Sequence, residues 1–375
     1  MDDPRIQRLA RTLVGYSVGV RPGDKVLLTC QGSIVAAVPM LTELFREVVR
    51  AGGHPHVILG QTGTEEWGCF FFAHATDKQL TYVDPIADLV ARTFDCDITI
   101  CSSQNTRSLA GVDGARQSAR RRAYKDVMGT YLARAAKGQL RWVLAGIPTT
   151  AYAQEAQMSL SDYENFLFSA VFADSEDPIA RWKRMEERNG KIVDSIKGAR
   201  SIRVKSPHAD LSFSVEGRIF ISDHGHFNMP DGEIFTGPVE VSLEGSFRST
   251  FPTVFADTEF GEVSLEFEHG MVVSAKAESN QDKLTKLLDT DEGSRRVGEF
   301  GIGTNEGVNR FTGTMLFDEK MEGTVHFALG SGFPESGSTN DSAIHWDLLC
   351  DMRDHGEIIV DGTVRYDSGR FLLLP

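Results

Sequence analysis

The sequence predicts an α/β N-terminal domain with a parallel sheet over residues 1–199. It predicts an α+β, largely antiparallel domain over residues 200–375. Three observations support this division. A length of 375 residues, 41% of them apolar, suits about two soluble domains. The first half alternates apolar strand-like runs with helical periodicity, which is the pattern of βαβ units. After Ala199 the texture changes to short period-two runs broken by Gly, Asp and Asn, which marks antiparallel structure.

Ile6, Leu9, Ala10, Leu13 and Val14 fall at helical spacing from Pro4 to about Tyr16, with Asp3 placed to cap and Pro4 at the first helical position. Arg21-Pro22-Gly23-Asp24 turns the chain into Val26-Leu27-Leu28-Thr29-Cys30, a run fit for a strand buried on both faces. A helix from about Val35 to Arg50 stops at Gly52-Gly53, and His56 to Leu59 supplies a second strand, so a parallel pair is expected. Asp97 to Cys101 and Arg141 to Ala145 are further strands. Gln31-Gly32-Ser33 has neither the Walker nor the dinucleotide spacing, so no nucleotide cofactor is expected.

Ser159 to Lys197 is helical in pattern. Beyond it, Ser201 to Val204, Leu211 to Val215 and Val263 to Phe267 alternate as strands. A helix is expected over Gln281 to Leu288 and a short helical piece over about Ser294 to Phe300. Arg116, Arg120, Arg121, Arg122 and Lys125 form a basic cluster that reads as a solvated helix face. Its other reading is a surface for a peptide carboxylate across a subunit interface.

The net charge of −14 argues against nucleic acid and anionic membrane as partners. No apolar run is long enough to span a bilayer. Met1-Asp2-Asp3-Pro4 starts no signal peptide, and the five cysteines include no CxxC pair, so a cytoplasmic protein with reduced thiols is expected.

Chemistry concentrates in the C-terminal half. Met229-Pro230-Asp231-Gly232-Glu233 places Glu233 beyond a tight turn. Glu299 lies between Gly298 and the small-residue run Gly301 to Asn305. His326 ends the strand-like Gly323-Thr324-Val325-His326, and alternation puts Thr324, His326 and Ala328 on one face. His345 and Asp347 flank Trp346 and point the same way if extended. Taken singly these are a hairpin turn, a surface Glu and a core His. Together, carboxylates and imidazoles suit Zn²⁺, Co²⁺, Mn²⁺ or Fe²⁺, although no segment has a compact zinc spacing.

As an ordered set these segments resemble the M29 metallo-aminopeptidase family. Pro148 to Ala156, Asp289 to Gly293 and Asn340 to Asp347 extend the resemblance over nearly the whole chain. The resemblance implies an aminopeptidase acting on a small peptide or amide, within a homodimer. It implies two divalent ions, Zn, Co or Mn, held by Glu233, Glu299, Glu319, His326, His345 and Asp347, with Glu299 as bridge and general base. Two such ions polarise a carbonyl and activate water.

One position departs from the family pattern: Phe333, in Gly330-Ser331-Gly332-Phe333-Pro334, stands where the family has its catalytic tyrosine. That keeps a non-peptide amide hydrolase on the same metals as an alternative. A mononuclear Fe²⁺ ring-cleaving dioxygenase and a weakly active binding protein are further readings.

Overall fold

The computed structural model describes residues 3–59, 65–255 and 258–372. The chain divides into two compact units, Met1–Trp182 with Gly225–Pro230, and Lys183–His224 with Asp231–Pro375. The division expected at residue 199 falls instead inside the helix Pro178–Ile196, because Ile192 and Ile196 are buried in the second unit's core.

In the first unit Asp3 caps the helix Pro4–Thr12 by accepting from the Arg5 amide. Ser33 caps the helix Ile34–Arg50 in the same way, accepting from Ala36. The sheet is parallel, in the order His54–Val57, Lys25–Gly32, Cys96–Ser102, Arg141–Gly146, Asn228–Met229. The basic cluster is less solvated than its composition suggests. Arg116 donates to the carbonyls of Phe72 and Ala75, and Arg120 to those of Leu80 and Tyr82. These guanidiniums satisfy carbonyls at helix ends that would otherwise lack donors. All five cysteines are free.

The second unit holds two antiparallel sheets. The larger runs Met271–Ala277, Val263–Glu268, Glu244–Arg248, Ala209–Ser214, Ser201–Ser206, Glu357–Val360, Thr363–Asp367, Arg370–Phe371. The smaller runs His345–Asp351, Thr324–Gly330, Val297–Gly303, Glu233–Thr236, Ile221–Asp223. Between them lies an aromatic core in which the rings of Phe213 and Phe300, Phe300 and Phe327, and Phe247 and Phe327 are 5.0–5.4 Å apart.

Two local expectations are corrected. The helical piece over 294–300 is one 3-10 turn, Gly293–Arg295, followed by the strand Val297–Gly303. Burial of Val297, Phe300 and Ile302 in the core, with a paired strand on each side, overrides any helical tendency there. Met229 to Glu233, readable as a hairpin turn, instead joins strands of two different sheets through a cis Met229–Pro230 bond.

Candidate metal centre

Alternation on the smaller sheet separates core from chemistry. Ile234, Phe300, Ile302, Val325, Phe327, Trp346 and Leu348 enter the core. The opposite face therefore receives Glu233, Glu299, His326, His345 and Asp347. A bulge at Gly298 lets Val297 and Glu299, two apart in sequence, take opposite faces: Val297 pairs with Leu329 and Glu299 with the next residue, Ala328.

The strand register then brings the ligand-type atoms together. His326 sits opposite Gly301, and an added Cβ at Gly301 would lie 2.0 Å from its Nε2. The bare glycine lets the imidazole lie across the strand, with Nε2 3.3 Å from Glu233 Oε2 and 3.6 Å from Glu299 Oε1. His345 Nε2 is 3.3 Å from Glu299 Oε2 and 3.6 Å from Asp347 Oδ1. Two groups thus have ligand-type atoms within 4.8 Å of one another, Glu233–Glu299–His326 and Glu299–His345–Asp347, and Glu299 belongs to both. The nearer face of His345 is set by its other nitrogen: Nδ1 donates to the Ser331 carbonyl at 2.8 Å, which leaves Nε2 as a lone pair aimed at the carboxylates.

Burial would push Glu299 up, but the His326 and His345 imidazoles bring it down to about 2. Burial opposes protonation of both imidazoles, yet the carboxylates around them raise His326 to about 9 and His345 to about 10. Asp347 is pushed by burial up to about 6, and Glu233 well above the usual carboxylate range. Protons on the two imidazoles are what hold these acids together in the protein by itself.

Glu319 follows the short helix Met315–Asp318. It belongs to neither group; its carboxylate bonds the Lys320 ammonium at 2.8 Å. Phe333 is 40% exposed, and its ring stands edge-on to His345 at 5.4 Å and beside Phe235 at 5.2 Å. Sequence reasoning passed over Asp223, Asp231 and Lys320. Asp223 and Asp231 form a third carboxylate group with Glu233, and Lys320 is buried among them. Strand pairing of Asp223 with Glu233 was the one available signal, and it needs the fold to be seen.

The family model for thermophilic metalloproteases, M29, matches residues 2–368. The chain belongs to the M29 family. Like other M29 members it is an enzyme that works with divalent metal. It is 24% identical to aminopeptidase 2 of Geobacillus stearothermophilus, over 97% of this chain and 95% of that one. It is 26% identical to aminopeptidase T of Thermus thermophilus, again over 97% and 95%. The solved structure of wild-type AmpT from Thermus thermophilus superposes with a TM-score of 0.85 at 22% identity, covering 98% of this chain and 99% of that one. A 2,5-dihydroxypyridine dioxygenase of Pseudomonas putida shares the fold at a TM-score of 0.56 and 12% identity, covering 98% and 97%.

The residues present fit the metal that M29 membership implies. Glu233 Oε2 and Asp347 Oδ1 are buried without a hydrogen bond, and both converge on imidazole nitrogens. A divalent ion would take the place of the imidazole protons and satisfy those oxygens. Gly301→Ala should weaken metal binding at least about tenfold, as loss of a supporting contact does, by driving His326 off Glu233. Calorimetric titration with Co²⁺ measures this, and an unchanged affinity would show that His326 can rearrange freely.

Proposed function

We propose that the protein is an aminopeptidase that releases N-terminal amino acids, with two divalent ions sharing Glu299. The observation that carries this reading is the membership of Glu299 in both imidazole–carboxylate groups. Glu233, Glu299 and His326 would hold one ion and Glu299, His345 and Asp347 the other, with Glu319 at the margin. Such ions supply polarisation of the scissile carbonyl and activation of water at neutral pH.

The chain's own groups do the rest. Glu299 accepts the proton of the attacking water and passes it to the leaving amine. Ser331 keeps the His345 ring in one tautomer throughout. The surplus of carboxylates favours a substrate with a free α-ammonium group, which confines cleavage to the first peptide bond. The N-terminal α/β unit restricts access, in a cytoplasmic homodimer. Among the described residues no helix is long and apolar enough to cross a membrane.

The test is a pair of substrates offered to enzyme loaded with Co²⁺, Mn²⁺ or Zn²⁺. Leucyl or phenylalanyl arylamide should be cleaved at least about a hundredfold faster than its N-acetyl counterpart, because a site that binds an ammonium leaves polar groups unpaired when it is blocked. Equal rates would favour the second reading, a general amide hydrolase. The exposed apolar ring of Phe333 beside His345 is what keeps that reading in play.

A further inference from the structure

Lys320 is the buried charge that the two-ion reading leaves without a role. Its side chain is 2% exposed, in a cluster otherwise made of acids. The ammonium lies 2.5 Å from Glu233 Oε1, 2.8 Å from Glu319 Oε1 and 3.8 Å from Asp231 Oδ1. It therefore stands at the third carboxylate group, Asp223–Asp231–Glu233, in the place a cation would take. Its stem is anchored at the backbone. The Lys320 carbonyl accepts from the Asn305 amide at 2.9 Å, and the Asn305 side chain donates to the Asp231 carbonyl at 2.6 Å.

The two oxygens of Glu233 are consequently unlike. Oε1 is engaged by the ammonium, whereas Oε2 is buried without a hydrogen bond and faces His326. We propose that Lys320 is a positioning residue: a built-in cation that fills the third carboxylate group and fixes Glu233 so that only Oε2 is offered to the ion shared with Glu299 and His326. Carboxylates that bind ions are themselves oriented by outer partners, and an ammonium is the strongest such partner available here. The same contact holds Glu319 at the margin of the centre. The second group, Glu299–His345–Asp347, has no contact with Lys320 among those described and is independent of it.

This inference rests on the two-ion reading, and metal titration of the full chain separates the two. After chelator stripping, Co²⁺ binding is followed by calorimetry and by the Co²⁺ absorption spectrum. Wild type binding fewer than two ions would defeat the two-ion reading itself, whatever the variants do. Each ion is then isolated, the Glu233 ion in a His345→Ala background and the other in a His326→Ala background.

In the His345→Ala background, Lys320→Met should weaken the remaining ion at least about tenfold. In the His326→Ala background it should change affinity less than about threefold. Lys320→Gln, which keeps a donor and introduces less apolar surface, should show the same selectivity at smaller size, and it serves if the Met variant does not fold. Unchanged affinity in both backgrounds, or equal weakening in both, overturns the proposal.

Discussion

Glu299→Ala should strip the enzyme of activity and of bound metal together. Each of the two imidazole–carboxylate groups loses a member with this one change, since Glu299 touches both His326 and His345. Metal-assisted polarisation contributes several kcal/mol to such reactions, on the order of a thousandfold or more in rate. The expected result is therefore a fall of at least about a thousandfold in kcat/KM on an aminoacyl arylamide. Metal analysis should find fewer ions per chain, and chelation of the wild type should give the same loss. Glu299 sits on a doubly paired strand whose neighbours Phe300 and Ile302 supply the core, so the variant should still fold. A variant that retains full activity, or a metal-free preparation that does, would be incompatible with any metallohydrolase.

Phe333→Tyr should act in the opposite direction. The ring lies edge-on to the His345 imidazole and is open to solvent, so a hydroxyl at its tip reaches the region of the ligands without displacing anything in the core. The family places tyrosine in the corresponding segment, and a phenol can donate to an oxyanion as the carbonyl becomes tetrahedral. Gaining one such donor should raise kcat on aminoacyl arylamides by about ten- to a thousandfold. If the natural substrate presents an aromatic or apolar group to Phe333, that substrate should gain nothing or lose. Less than a twofold change on every substrate would show that position 333 lies outside the chemistry.

Much of this was readable in the chain before folding. Strand periodicity identified the faces of Thr324–Gly330 and His345–Asp351 correctly, because both alternate without interruption. The strand of Glu299 was harder, since the bulge at Gly298 breaks its alternation just where the carboxylate sits and the preceding 3-10 turn adds a helical cue. Lys320 was not readable at all. In Asp318-Glu319-Lys320 it resembles the charged tip of a surface turn, and only tertiary structure reveals that Asp318 and Lys320 are each 1% exposed. Charged residues are so seldom buried that sequence alone favours the wrong side. Arg116 and Arg120 erred less severely: they are on a helix as expected, but their guanidiniums serve neighbouring carbonyls.

The absence of a side chain at Gly298 reaches beyond the strand it bends. An added Cβ would lie 2.3 Å from the Gly330 carbonyl oxygen and 2.6 Å from the Gly332 amide, so the segment that follows His326's strand can cross there only over bare backbone. That crossing fixes the root of a loop whose Ser331 carbonyl orients His345 and whose next side chain but one is Phe333. Root and tip have different freedoms. The root is wedged between strands, while the tip carries exposed Phe333 and Glu335. Variation at the tip can thus reshape what meets the substrate while the ring of His345 stays in place. Divergence of substrate preference in this lineage would then be written in residues 333 to 335, with Gly298 held constant as the condition that makes such drift harmless.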